Sequence, residues 1–389
     1  MKIMWLASWY PNPVNPFDGD FIQRHARAAS LYNQVTVFYV SQAGVNNEIA
    51  ENKTIERTNE GVEEKIFFFY FKKTGLVYID KLIYNWRYYN TYKKAIKNYF
   101  FKEGKPDIIH VHVPMKAGMI ARWIRKRWAI PYIVSEHSAH YKMRTDDDFL
   151  SKSIIHKWVV KKIFRGAVAI TNVSEALGKK IAELFKLRNI RIIYNTVDTR
   201  LFNYKKTDDF RFRFIHVSTL HEHQKNVGGI LRATAALTKL RHDFELVIVG
   251  PVSDEFRKIV EKLNLPPLVK FTGEIAYMEV ARQMKQASAF VLFSRYENFP
   301  CVIIEALCCG LPVIATDVGG VKEAINEGNG ILIQSENEDE LTRAMNKMIE
   351  GNNKFDRYKI AMEAKNKFSY SAIGRQFNNL YKEILMIND

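Results

Sequence analysis

The sequence predicts an α/β protein made of two Rossmann-like domains, on three observations. A chain of 389 residues, 47% hydrophobic and 26% charged, holds enough apolar material for two cores of ordinary size. Short apolar runs alternate with longer helical patterns from end to end, the rhythm of doubly wound parallel sheets. A turn-rich junction, Asn195 to Asp198 followed by the polar Asn203 to Asp209, interrupts that rhythm near the middle.

In the first half the predicted strands are Ile3 to Ala7, Val35 to Val40, Lys65 to Tyr70, Asp107 to Val113, Tyr132 to Ser135, Val168 to Thr171 and Arg191 to Tyr194. The second half continues with Phe214 to Val217, Glu245 to Val249, Val269 to Phe271, Ala289 to Phe293, Val313 to Ala315 and Ile331 to Ile333. Helices fill most of the gaps. The expected domains are residues 1–200 and 201–389, with a cleft between them. A last helical segment, about Phe355 to Met386, has no strand after it and is expected to pack back on the N-terminal domain. Open α/β sheets bind ligands beyond the carboxyl ends of their strands, so the loops after strands are where site residues are sought.

Bulk properties exclude several classes. Trp9, Pro11, Asn12 and Pro13 interrupt the first apolar stretch, so no export signal is expected. No run reaches the roughly 18 apolar residues of a spanning helix, and a cytoplasmic location is expected. Cys301, Cys308 and Cys309 fall within one predicted helix and read as reduced packing residues; no metal site is expected there or elsewhere. Neither the Gly-x-Gly-x-x-Gly of a dehydrogenase nor a P-loop occurs. The net charge of +16 is lopsided: residues 1–200 hold 33 Lys and Arg against 18 Asp and Glu, residues 201–389 hold 25 against 24. Such a basic half fits an anionic partner or simple solvation. A nucleic-acid binder would need a recognisable module, and none is seen.

The most informative stretch is Ser294 to Ile325, SRYENFPCVIIEALCCGLPVIATDVGGVKEAI. Pro300 suits the first helical position and Gly310 the C-terminal cap, which predicts a helix of about ten residues. The amides of Phe299, Cys301 and Val302 lack helical partners and, with the helix dipole, make a place for a diphosphate. Glu297 precedes the helix and Glu305 lies within it, roughly 12 Å further at helical rise. Each carboxylate can accept hydrogen bonds from a vicinal diol, one from ribose and one from a transferred sugar. Paired glutamates at this spacing also occur on solvated helix faces.

The segment resembles the donor-binding motif of retaining glycosyltransferase family 4, the glycosyl transferases group 1, which adopts the two-Rossmann GT-B fold. The resemblance implies that Glu305 binds ribose hydroxyls and that Glu297 lies beside the sugar and its leaving phosphate; the turn at Gly319 and Gly320 matches too. Asn298, Phe299, Cys301 and Val302, and Thr272 and Gly273 after an earlier strand, complete the expected donor contacts. Lys225, preceding the helical pattern that starts at Asn226, takes the place of the lysine that pairs with the donor diphosphate. Thr219 stands where an arginine is usual, which leaves more of the charge to Lys225, with His221 or His223 nearby. The implied chemistry is front-face displacement, in which the leaving diphosphate helps deprotonate the acceptor, with no metal or other cofactor and a UDP- or GDP-sugar as donor.

In the first half, the loop Trp9 to Asp20 matches the family's first glycine loop, although Asp18, Gly19 and Asp20 stand where paired glycines are usual. Gly19 permits a close backbone approach to the donor. Asp18 and Asp20 invite comparison with a metal-binding Asp-x-Asp, but helix-entry aspartates cap more often than they ligate. His137, in SEHSAHY, resembles the N-domain histidine that contacts the transferred sugar; His140 is a second candidate, and Asp146 to Asp148 read as an exposed loop. The expected catalytic set is His137, Lys225 and Glu297. The expected acceptor is a glycan or lipid-linked molecule of cell-surface polysaccharide or glycolipid synthesis, bound by the N-terminal domain; a nucleotide-sugar epimerase is the alternative. Residues 51–200, with 30 basic against 15 acidic residues among aromatics, point to peripheral contact with an anionic membrane at its inner face. The expected contacts are Arg122, Arg125, Lys126 and Arg127 with Lys93, Lys94 and Lys97.

Overall fold

A computed structural model describes residues 1–43, 51–138, 141, 148–206, 211–265, 268–351 and 354–388. The chain divides into two compact units. Unit 1 comprises 1–173, 177–194 and 370–389; unit 2 comprises 174–176 and 195–369.

Unit 1 is built on one sheet of eight strands: β1 (Lys2–Ala7), β2 (Gln34–Gln42), β3 (Lys53–Asn59), β4 (Val62–Phe69), β5 (Ile108–His112), β6 (Tyr132–Glu136), β7 (Ala169–Asn172) and β8 (Ile190–Ile192), in the order β3-β4-β2-β1-β5-β6-β7-β8. Every pairing is parallel except β3 with β4. β3 was not predicted: KTIERTN is mostly exposed and carries little apolar signal. It is tied to β4 by a two-residue turn in which Glu60 and Gly61 both have positive φ, the geometry that matches strand twist. The helices are α1 (Asp20–Ser30), α2 (Val77–Glu103), α3 (Ala117–Trp128), α4 (Ile154–Gly166) and α5 (Glu175–Phe185).

Unit 2 has six parallel strands: β9 (Phe212–Val217), β10 (Phe244–Val249), β11 (Val269–Gly273), β12 (Ala289–Leu292), β13 (Val313–Thr316) and β14 (Gly330–Ile333), in the order β11-β10-β9-β12-β13-β14. Its helices are α6 (Glu222–Lys225), α7 (Val227–Thr238), α8 (Asp254–Lys262), α9 (Tyr277–Lys285), α10 (Cys301–Cys308), α11 (Glu338–Glu350) and α12 (Arg357–Phe368). The strand order reverses at β9 and β12, and the neighbouring loops that diverge there leave a crevice. In unit 1 the reversal falls at β1 and β5.

The last helix, α13 (Tyr370–Asn388), belongs to unit 1 and packs on α1. Ile373, Phe377, Leu380 and Tyr381 join Ile3, Trp5 and Ile22 in one core. The predicted segment from Phe355 is two helices, and Ser369 with extended backbone separates them. Gly374 fixes the closeness of the α1 crossing, because a Cβ there would lie 2.0 Å from the Ala28 carbonyl oxygen. Gly374→Ala therefore forces the helices apart; chemical denaturation is expected to show a loss of about 1–3 kcal/mol, typical of overpacking.

Candidate active site

In unit 2 the reversal of strand order brings two loops together, one after β9 and one after β12. The first carries Thr219 and Leu220 into α6, a single helical turn that ends at Lys225. Lys225 thus closes a short helix instead of opening a long one, and Asn226, in the left-handed region at φ 49°, turns the chain into α7. The second loop runs from Phe293 to Pro300. Lys225 Nζ donates to Glu297 Oε1 at 2.5 Å, and the two side chains are only 11% and 7% exposed. Ser294 Oγ donates to the same oxygen at 2.9 Å, and Thr316 Oγ1 on β13 donates to the Ser294 carbonyl at 2.6 Å. The ammonium has three N–H donors and Glu297 takes one, so the cation is positioned with donors left for another acceptor.

Pro300 is the N-cap of α10, not its first residue, and the helix is correspondingly shorter than predicted; Gly310, at φ 76°, sits just past its C-cap Cys309. The first-turn residues Cys301 and Val302 are half-buried at the N-terminus of the helix. The approach is held on both sides: Asn195 Nδ2 donates to the Phe299 carbonyl at 2.7 Å, and the Gly320 amide donates to the Asn298 carbonyl at 2.7 Å. Gly319 has φ 61°, and a Cβ on Gly320 would lie 2.4 Å from the Asn298 oxygen, so both glycines serve this close approach. Glu305 is buried on α10 and accepts a hydrogen bond from Tyr277 OH at 2.7 Å. Cys308 and Cys309 are buried free thiols on the far part of the helix, and burial pushes the Cys309 thiol up to about 12.

Sequence reasoning missed Arg295. Its guanidinium donates to the Glu222 carbonyl at 2.5 Å, to Asn226 Oδ1 at 2.9 Å and to Glu336 at 2.9 Å, which clamps the turn that presents Lys225. Ser294, Thr316 and Tyr277 were missed as well. Thr219, His221 and His223 are exposed, and the His223 ring lies 6.0 Å from that of Tyr296. Thr272 and Gly273 end β11, two strands away from β9; Gly273 has φ 75° and open space where a Cβ would stand.

In unit 1, Gly19 is the N-cap of α1 at φ 67°, and a Cβ there would lie 2.7 Å from the Trp9 carbonyl carbon. The close approach it permits is therefore to the Trp9 backbone. The expected capping by Asp18 or Asp20 is not observed: the helix has no side-chain cap, and Asp20 pairs with Arg24 at 2.9 Å. Burial raises the Asp18 carboxyl above its ordinary value.

His137 follows β6. Glu136 shapes its loop by accepting from the amides of His137 and Ser138 at 2.8 and 2.7 Å and from Tyr141 OH at 3.0 Å. His137 Nε2 meets His112 Nδ1 at 3.2 Å, and Trp5 stacks on His112 at 3.9 Å between ring centroids. His25 Nε2 bonds to the Tyr194 carbonyl at 3.0 Å, which leaves Nδ1 as its lone-pair nitrogen. Burial holds His25, His112 and His137 well below the ordinary imidazole range, with His25 at about 4. Among the described residues, these three histidines form a set whose nitrogens lie within 4.8 Å of one another, a spacing that can hold a metal ion; Asp18 and Asp20 belong to no such set. A cavity of about 270 Å³ at this edge is lined by Ser8, Trp9, Lys116, Glu136, Lys152 and His156 among others. His140, Asp146 and Asp147 lie outside the described residues.

Two Rossmann-like units, one with a cation, a carboxylate and a helix N-terminus at its strand reversal, have the architecture of the GT-B fold. Comparison with known proteins agrees. Residues 199–366 match the family described as Glycosyl transferases group 1, and residues 27–201 match Glycosyltransferase Family 4. An uncharacterised glycosyltransferase of Methanocaldococcus jannaschii is 29% identical over 76% of this chain and 80% of its own length. The N-acetylgalactosamine-N,N'-diacetylbacillosaminyl-diphospho-undecaprenol 4-alpha-N-acetylgalactosaminyltransferase of Campylobacter jejuni is 24% identical, covering 70% and 78% respectively. Among solved structures, Anabaena HepE in complex with UDP superposes with a TM-score of 0.71 at 19% identity over 98% of this chain and 100% of its own. The chain belongs to the glycosyltransferases of group 1, family 4 type, and is a glycosyltransferase.

Proposed function

We propose that this protein transfers a sugar, with retention of anomeric configuration, from a UDP- or GDP-sugar to a glycan or lipid-linked acceptor of cell-surface polysaccharide or glycolipid synthesis. The observation that carries the reading is the buried Lys225–Glu297 pair set at the strand reversal next to the N-terminus of α10. A diphosphate at that position meets the ammonium, the first-turn amides and the positive end of the helix dipole together. Glu305, held by Tyr277 OH at 2.7 Å, is the ribose-binding group, and Glu297 faces the transferred sugar. The leaving diphosphate takes the acceptor proton, and the protein contributes positioning and charge stabilisation. His137, kept neutral by its surroundings, is proposed as a hydrogen-bonding residue that adds no charge. The complex of HepE with UDP and the diphospho-undecaprenol substrate named for the Campylobacter relative support these choices of donor and acceptor class.

Thermal-shift screening of UDP-, GDP- and ADP-sugars identifies the donor, because a ligand bound to the folded state raises its stability. The same donor is then turned over with and without acceptor preparations. Transfer that requires the acceptor supports the proposal, whereas conversion of the nucleotide sugar alone is the outcome for an epimerase. Because Lys225, the amides and the dipole together oppose the diphosphate charge, activity is expected to persist in excess EDTA. A loss restored by Mg²⁺ or Mn²⁺ would overturn the metal-independent mechanism.

A further inference from the structure

Unit 1 exposes apolar side chains where the reading above places acceptor binding. α3 lies between α2 and α4: Tyr89 OH donates to Met119 Sδ at 2.9 Å on one side, and the Arg122 guanidinium reaches the Lys162 carbonyl on the other. These helices follow β4, β5 and β6, whose crossovers all run the same way across the sheet, so their first turns share its carboxyl edge. On α2, Tyr78, Leu82 and Trp86 stand four residues apart and are all exposed, Tyr78 at 86%. That spacing puts them on one stripe, about 12 Å long. On α4, Ile154 and Trp158 are also four residues apart, Ile155 stands beside them, and all three are exposed, Ile154 at 84%.

Both stripes change character in the same direction. Further along α2 the exposed positions are Asn90, Lys94, Lys97 and Asn98, with Phe101 exposed at the far end, and further along α4 they become Lys162 and Arg165. Residues 70–97 hold seven Lys and Arg against Asp80 alone, and residues 148–166 hold five against Asp148 alone. The Asp80 carboxylate is occupied with the Thr74 amide and hydroxyl, each at 2.8 Å. Each helix therefore presents an apolar tip with a basic collar behind it, the arrangement that enters an anionic lipid interface: rings and branched chains reach the acyl boundary while ammonium groups stay among the headgroups. The contacts expected from sequence are only partly on this surface. Lys94 and Lys97 lie in the collar, but Arg122 and Arg125 donate to the Lys162 and Gly166 carbonyls, and Lys93 sits over the Trp123 ring.

We infer that the first turns of α2 and α4 form a docking edge that inserts into an anionic bilayer. The inference deepens the proposed function, on which it rests, by making the acceptor a membrane-resident molecule approached from this edge. The cavity of about 270 Å³ supports it, since Lys152 and His156 from the α4 side of the edge line it together with Lys116 at the start of α3.

The test is co-sedimentation of the full chain with vesicles of phosphatidylglycerol and of phosphatidylcholine, alongside two triple variants, Tyr78→Ser/Leu82→Ser/Trp86→Ser and Ile154→Ser/Ile155→Ser/Trp158→Ser. All six side chains are exposed, and unchanged circular dichroism and nucleotide thermal shifts are expected in both variants. The wild type is expected to bind the anionic vesicles preferentially, each triple variant to bind roughly tenfold more weakly, and brominated acyl chains to quench Trp86 and Trp158. Undiminished binding by both variants overturns the inference, as does absence of vesicle binding, or a stable dimer in solution that is lost in the variants. Because the nucleotide thermal shift is measured on the same samples, a failure of the docking edge is distinguishable from a failure of the transferase reading.

Discussion

Lys225→Met is expected to lower kcat/KM for sugar transfer by roughly 10²- to 10³-fold, the scale seen when a preorganised charge-stabilising group is removed. The physical reason is placement. The ammonium is held beside Glu297 in a setting largely closed to solvent, where a charge interaction is worth far more than in water. The substitution also leaves the Glu297 carboxylate with Ser294 as its remaining described partner, a loss of about 1–3 kcal/mol in folding stability. Stability and catalysis separate in the double variant. Lys225→Met with Glu297→Gln removes the buried charge imbalance and recovers stability, yet it does not restore transfer. Steady-state kinetics and urea denaturation on the wild type and both variants check both halves, and a double variant as active as the wild type contradicts the role of Lys225.

Acidification is expected to destabilise the fold below about pH 6.5. Burial lowers the imidazoles of His25, His110, His112, His137 and His216, with His25 and His216 brought to about 4. A lowered histidine is neutral in the folded chain and takes a proton once the chain unfolds. Its contribution is thus fully present above the unfolded value, about 6.5, and is lost as the pH falls toward the folded one. Each histidine that stays neutral contributes about 1.4 kcal/mol per pH unit in that window. Glu136 works against this slope, because burial raises its carboxyl. Urea midpoints measured from pH 7.5 to 5 should therefore fall steeply below 6.5, and a flat profile contradicts the neutral histidine cluster.

The alternating pattern made the sheets legible, because buried parallel strands are short, nearly continuous apolar runs whatever surrounds them. The edge strand β3 was invisible for the opposite reason: one of its faces is solvated, and its partner β4 supplies the burial. Helix ends were read a residue out where a proline or aspartate had two possible uses, and packing chose between them. Pro300 caps instead of opening α10, while Gly19 takes the cap position expected of Asp18 or Asp20 because only a glycine fits against Trp9. Motif spacing brought Lys225, Glu297 and Glu305 to notice. It did not reveal Arg295, Tyr277 and Thr316, whose importance lies in partners 22 to 73 positions away in sequence, nor Ser294, whose hydroxyl serves Glu297 three positions on. The docking edge was legible as composition, basic and aromatic together, but not as place: only the packing of α3 between α2 and α4 separates exposed lysines from those already engaged.

The central claim is that a nucleoside diphosphate binds at the N-terminus of α10 between Lys225 and Glu305. Titration calorimetry of UDP and GDP against the wild type, Lys225→Met and Glu305→Gln tests it most directly. The expected result is that at least one nucleotide binds the wild type, and that each substitution weakens it by roughly tenfold or more, about 1.4 kcal/mol, with the fold intact. Binding that neither substitution alters, or no binding of either nucleotide by the wild type, would contradict the account.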